Sequence, residues 1–233
     1  MTLWGCLNSY GNGNNVQVEL LSYTPEGDVL SAMAAKLTHS QSSINELRKD
    51  DPDELRSMLR YVIDLGHESV IEHASYTFGI SDVSRSLTHQ LVRHRIASYS
   101  QQSQRYVESE RDYVTPPSIV AAGQEQRYRA AMQAIWDIYE ELQEDVPTED
   151  ARYVLPNAAC TKIIVTMNAR SLHNFFELRC CLHAQWEIRA LAWKMLGLVR
   201  KATPVIFDNA GPPCKTKQHC PMDKTDCRWY PGD

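Results

Sequence analysis

The sequence lacks an excess of positive charge, a long apolar run, a repeat and a low-complexity block. Its 24 lysines and arginines are outnumbered by 29 aspartates and glutamates, for a formal net charge of -5. That balance argues against a general attraction to nucleic acid or to an anionic membrane. No apolar stretch approaches the ~20 residues of a membrane span. The opening "MTLWGCLNSYGNGNN" has neither the basic n-region nor the apolar h-region of a secretory signal, so the expected location is the cytoplasm. Seven cysteines, an odd number in a chain without an export signal, fit reduced thiols better than a disulfide framework. What is present is an ordinary globular composition, 43% hydrophobic and 23% charged over 233 residues. Length and composition fit one domain plus a tail: a flexible arm over residues 1–15, a domain over 16–207, and a cysteine-containing tail over 208–233.

Periodicity and punctuation predict the elements. "VQVELLSY", Val16 to Tyr23, alternates as a strand and stops at Pro25-Glu26-Gly27. A helix follows within Asp28 to Leu37. In "DDPDELRSMLRYVIDLG", Asp51 is the expected N-cap, Pro52 the first helical residue and Gly66 the stop. A strand from Ala74 leads to Ser84, which caps a helix whose stripe is Val83, Leu87 and Leu91. Arg93, His94 and Arg95 then sit where that helix ends, and a hydroxyl-rich loop runs on to a strand at Arg105 to Val107. Gly123 to Asp145 reads as a long amphipathic helix, and a short helix from Thr148 ends before Pro156. Two more helices fit the stretch that runs from Ala169 and ends before Pro204, with Ser171 as cap and Leu172, Phe175, Phe176 and Leu178 as the apolar face of the first. Strands that do not alternate strictly with long amphipathic helices predict an α+β fold around a mostly antiparallel central sheet.

Arg93, Arg95, Arg105, Arg152, Arg170 and Arg179 stand beside apolar or hydrogen-bonding residues rather than in charged runs. A guanidinium in such surroundings needs an acceptor, either an internal carboxylate or the oxygens of a bound phosphate or carboxylate. "RHRIASYSQQSQRY", Arg93 to Tyr106, contains no acidic residue and supplies Ser98, Ser100, Gln101, Gln102 and Ser103 as companions, so it suits a polyanion. In "HESVIEH" the two histidines are six apart, about 240° around an α-helix, so the paired-histidine zinc site of a metalloprotease is not expected. Adjacent Cys180 and Cys181 with His183 read as buried structural thiols rather than a nucleophile and its base. Cys214, His219, Cys220 and Cys227 in the tail lack the compact pairs of a zinc module, and no metal site is assigned.

These segments together resemble the flavin-dependent thymidylate synthase family. Its signature of Arg-His-Arg, seven residues and Ser is matched by Arg93-His94-Arg95 and Ser103, with "HESVIEHASYTF", "DARYVLP", "MNARSLHNF" and "ELRCCLHAQWEI" in the same order. The resemblance implies methylation of dUMP to dTMP, with methylenetetrahydrofolate as carbon donor and FAD, reduced by NADPH, as hydride source. It also implies a homotetramer with sites where subunits meet. By position it assigns Ser69, Arg93, His94, Arg95, Gln101, Asn168, Arg170 and Asn174 to FAD, with His67 close by. Gln90, Arg93, Gln101, Gln102, Ser103, Gln104, Arg105, Arg152 and Arg179 are assigned to dUMP, Ser103 as a phosphate ligand. Arg179 carries the catalytic role, a fixed positive charge at the uracil edge. Some relatives have Glu at the position of Gln101, which leaves that residue's role the least fixed in the loop. Two other readings use the same residues: a nucleotide- or flavin-binding regulatory module without turnover, and an RNA-binding protein, which the acidic net charge disfavours.

Overall fold

A computed structural model of the chain describes residues 16–231; the expected arm over 1–15 lies outside them. Four strands, β1 (Gln17–Tyr23), β2 (Ser75–Ser84), β3 (Ser98–Gln101) and β4 (Cys160–Asn168), form one sheet in the order β1-β2-β4-β3. The helices are α1 (Gly27–Leu37), α2 (Ile44–Leu47), α3 (Pro52–Asp64), α4 (Arg85–Leu91), α5 (Pro117–Ala121), α6 (Glu125–Asp145), α7 (Thr148–Ala151), α8 (Ala169–Arg179), α9 (Trp186–Ala202), α10 (Pro204–Phe207) and α11 (Pro213–Thr216). Two 3-10 turns, Glu68–His73 and Arg152–Val154, complete the list of elements. The α+β class holds, and the sheet is antiparallel. Thr24 donates to the carbonyl of Ser75 while Leu21 lies against Gly79, and Ala169 donates to Ala74 while Thr77 meets Thr166. In each pair one residue number rises as the other falls.

The described residues divide into two compact units. One contains Ile80–Arg93 and Tyr99–Ile164. Its core is the face of α6 made by Met132, Trp136 and Tyr139, packed with Ala151 and Ala159. Trp136 satisfies its indole by donating to the carbonyl of Glu110 at 2.9 Å.

The other unit contains Val18–Gly79, His94–Ser98 and Val165–Asp233. Here Leu172, Phe175 and Phe176 of α8 and Ile188, Leu191, Ala192, Met195, Leu196 and Val199 of α9 are buried at helical spacing. The buried Asp28 carboxylate accepts from Val205 at 3.2 Å and Ile206 at 3.0 Å, holding the start of α10. Tyr76 and Thr203 share a 2.6 Å hydroxyl contact in the same core.

Four expectations change. The strand after the arginine signature is Ser98–Gln101, and Arg105 to Val107 is turn and bend. The β4 strand was not anticipated. Asn168, not Ser171, caps α8, its Oδ1 accepting from the Ser171 amide at 2.8 Å, because the chain leaves β4 extended at that residue. Leu178 is 54% exposed and does not join the apolar face.

Candidate active site

In the first unit, the β3 end leads into the Ser103 turn. Gln101 is fixed by two side-chain bonds, to Thr88 Oγ1 at 3.0 Å and Thr161 Oγ1 at 3.2 Å, so its amide is held across α4 and β4. The next residue, Gln102, donates its amide to the carbonyl of Lys162. Ser103 Oγ then accepts from the Arg105 amide at 3.1 Å, and its carbonyl accepts from Val107, which tightens the turn.

Arg105 donates Nε–H to Glu149 at 2.8 Å, and Arg152 donates Nε–H to the carbonyl of the same Glu149 at 2.9 Å. Glu149 therefore gathers two arginines. A third, Arg85, has its pKa lowered by burial and by the charge of Arg152. Arg105 thus bonds the Glu149 carboxylate, Arg152 the backbone carbonyl of the same residue, and Arg85 feels the Arg152 charge, a gathering of like charges that a phosphate would relieve. The Arg105 pair is half-exposed on both sides, so it is worth no more than about 1 kcal/mol and yields readily to a better acceptor. A neighbouring cleft is lined by Gln102, Ser103 and Gln104 but also by Asp82, Glu108, Glu110 and Asp112. Its carboxylates disfavour an anion, which leaves the arginine side of the turn as the phosphate candidate. The Gln90 side chain donates to the Ser86 carbonyl at 3.4 Å, and Arg93 is exposed just past the helix end.

In the second unit, α8 carries the remaining candidates. It packs on the 3-10 turn Glu68–His73, and Arg170 reaches Glu72 of that turn at 2.8 Å. Arg170 and Asn174 are four apart and share a helix face; both are exposed, as are His67, Ser69 and Arg95. The two histidines of the "HESVIEH" stretch do not sit on one α-helix, since the segment Glu68–His73 is 3-10. His67 precedes the turn in a non-helical conformation and His73 ends it, and among the described residues no group of three possible ligands could hold a metal ion.

Arg179 closes α8. Its Nε donates to Nε2 of His94 at 3.0 Å, and the His94 ring stands edge-on to Phe175 at 5.0 Å between centroids. Burial and the Arg179 charge push His94 down to about 4, so the ring is neutral and its Nε2 is the acceptor. Burial also lowers the pKa of Arg179. One guanidinium nitrogen is thereby held while the other two remain for a ligand. Cys180, next along, is fully buried and its thiol is pushed up to about 12, chiefly by burial. A group so far from thiolate is structural.

Sequence reading missed Arg85, Glu149, Thr88 and Thr161. Arg85 directly follows the recognised cap Ser84 and could have been noted there. The other three act through contacts made by the fold. No helix among the described residues is long and apolar enough to cross a membrane.

The family profile described as "Thymidylate synthase complementing protein" matches residues 19–205. A flavin-dependent thymidylate synthase of Geobacter sulfurreducens is 52% identical over 218 residues, covering 91% of this chain and 94% of that one. Those of Sulfolobus acidocaldarius and Clostridium tetani are 47% and 45% identical, covering 85% and 93% of this chain and 78% and 95% of theirs. In fold, the chain is similar to a UMP/dUMP methylase, PolB, from Streptomyces cacaoi, whose crystal structure is bound with 5-Br dUMP; the TM-score is 0.74 at 24% identity, over 84% of this chain and 94% of that one. With four fifths of its length matched by the profile and more by the relatives, this chain belongs to the flavin-dependent thymidylate synthase family.

Proposed function

We propose that this protein methylates dUMP to dTMP, with methylenetetrahydrofolate as carbon donor, NADPH as reductant and FAD as cofactor. Family membership supports the reaction, and the arginines gathered at Glu149 beside the Ser103 turn are the observation that carries the substrate assignment. A nucleoside monophosphate brings a compact dianion, which Arg105, Arg152 and the turn amides would hold, with Ser103 as a further donor. Gln90, Gln101, Gln102 and Gln104 are the polar groups proposed to fix the rest of the nucleotide, and Arg93 serves both it and the flavin.

The residues present fit FAD. Its pyrophosphate and ring edges need cations and amide or hydroxyl donors, and exposed Ser69, Arg95, Arg170 and Asn174 provide them. The half-exposed Arg170–Glu72 pair costs little to exchange. Asn168 holds the start of α8 from which Arg170 and Asn174 project, and His67, His94 and Gln101 complete the proposed set. When bound, FAD supplies the hydride. Arg179 stays charged and fixed, stabilising negative charge that develops on the uracil ring. No cysteine is needed as nucleophile in this scheme, in keeping with the buried, protonated Cys180. The homotetramer and the cytoplasmic location are parts of the same proposal.

Tritium release from ring-labelled dUMP tests it. Release should require dUMP, FAD, NADPH and methylenetetrahydrofolate together. Release that persists without flavin, or fails with all four present, overturns the reading.

A further inference from the structure

The activity proposed above gives Glu149 no role of its own, although two of the phosphate candidates bond to it. Its carboxylate accepts from Arg105 Nε at 2.8 Å, and its backbone carbonyl accepts from Arg152 Nε at 2.9 Å. The two contacts differ in kind. Arg152 is the C-cap of α7 and reaches back three residues, a local bond that leaves the Glu149 charge untouched. Arg105 comes from 44 residues away and takes the carboxylate itself. That bond is of the type a phosphate oxygen would make, a charge-assisted N–H···O contact with a guanidinium.

The Arg105–Glu149 pair is also built to part. Both side chains are half-exposed, so rotation about side-chain bonds separates them and carries the carboxylate into water. The backbone of Arg105 keeps its place meanwhile, because its amide donates to Ser103 Oγ in the turn. A phosphate monoester carries about two negative charges near pH 7. A carboxylate left on Arg105 beside such a group would repel it, and one turned out into solvent would not.

We propose that Glu149 is a built-in competitor of the nucleotide phosphate: it holds Arg105 in the free enzyme, leaves when dUMP arrives and returns as dTMP departs. The inference rests on the dUMP reading given above and deepens it. Substrate and product differ at the ring and carry the same phosphate, so Glu149 weakens the binding of both by one factor. Binding shared equally by all states along the reaction lowers KM without helping the chemical step. A competitor for that shared group therefore costs nothing in chemistry and keeps the product from being trapped. Discrimination between the two rings is left to the residues at the uracil edge.

Calorimetry on flavin-loaded protein tests this with dUMP, dTMP, inorganic phosphate and deoxyuridine. Glu149→Gln keeps the shape of the side chain and removes its charge. It should bind dUMP, dTMP and inorganic phosphate about two- to fivefold more tightly than wild type, the scale of an exposed ion pair, and deoxyuridine equally well. The dUMP KM should fall by the same factor with no rise in kcat. Asp150→Asn removes the same charge one residue along, from an exposed side chain of α7, and should leave all these affinities at the wild-type level. Unchanged or weaker binding of phosphate and dUMP by Glu149→Gln overturns the proposal, since a carboxylate that only orients Arg105 gives that result. Equal tightening by Asp150→Asn also overturns it, as the effect of net charge alone. The dUMP reading fails separately: wild-type protein that binds phosphate but neither nucleotide rejects it, and the phosphate comparison still decides the role of Glu149.

Discussion

Arg179 donates Nε–H to Nε2 of His94 at 3.0 Å, joining positions 85 residues apart. The bond requires a ring that is unprotonated at Nε2, and burial together with the Arg179 charge supplies one by pushing His94 down to about 4. Since the folded pKa lies below the unfolded value of ~6.5, stability from this group is complete above pH ~6.5 and is lost as pH falls through about 4. His94 should therefore give imidazole nitrogen resonances of a neutral, Nδ1-protonated ring from pH 8 down to about 5. A His94 that titrates near 6.5 contradicts the arrangement.

The same bond makes His94 a positioning residue for Arg179. Replacing it with Ala removes one hydrogen bond of about 1 kcal/mol net, and kcat should fall several-fold to tenfold with the dUMP KM little changed. His94→Gln, which returns an acceptor oxygen, should recover part of the loss. Equal losses in Ala and Gln variants that still hold flavin would mean the ring acts in another way.

Arg179→Ala should keep the fold and the flavin spectrum and lose at least about 100-fold in dUMP-dependent turnover, the scale of removing one transition-state donor. Turnover near wild type would take Arg179 out of the catalytic set.

Ser103 sits in a turn that it holds with its own hydroxyl, accepting from Arg105. Ser103→Ala should raise the dUMP KM several-fold and leave kcat at saturating dUMP close to wild type. Complete loss at saturation would point to a nucleophilic serine instead.

How far the sequence foretold this can be read from single residues. Asp51 and Ser84 cap α3 and α4 as their residue types predict, because capping is a local bond. β4 escaped because Ile163, Ile164 and Val165 read as a continuous apolar run. Ile164 is in fact 47% exposed and Val165 buried, so the alternation exists in burial and not in residue type. The arginine-rich segment was legible through its lack of acidic neighbours, yet Glu149, which pairs with Arg105, comes from 44 residues away. His94 was read as a flavin contact from its place in the signature. Its bond to Arg179 could not be seen, since only the fold brings them together.

Asp28 tests the core of the second unit. Its carboxylate accepts two amides at the start of α10 while nearly fully buried. Asp28→Ala leaves both amides buried without acceptors and should cost about 2–4 kcal/mol in denaturant unfolding. A loss below about 0.5 kcal/mol would show that the two amides find other partners.

Arg152 and Arg85 give the sharpest test of the phosphate assignment, because their mutual repulsion and their ligand affinity pull in opposite directions. Burial and the Arg152 charge both lower the pKa of Arg85, so Arg152→Gln relieves a like-charge contact in the free protein. The variant should be as stable as wild type or slightly more so, yet bind dUMP about tenfold more weakly, as expected when one charge-assisted bond of ~1.5 kcal/mol is lost. The same measurement with deoxyuridine, which lacks the phosphate, should show no difference between variant and wild type. Calorimetry on both ligands separates the outcomes: weaker binding of dUMP alone assigns Arg152 to the phosphate, and equal weakening of both ligands assigns it to the nucleoside or to the fold.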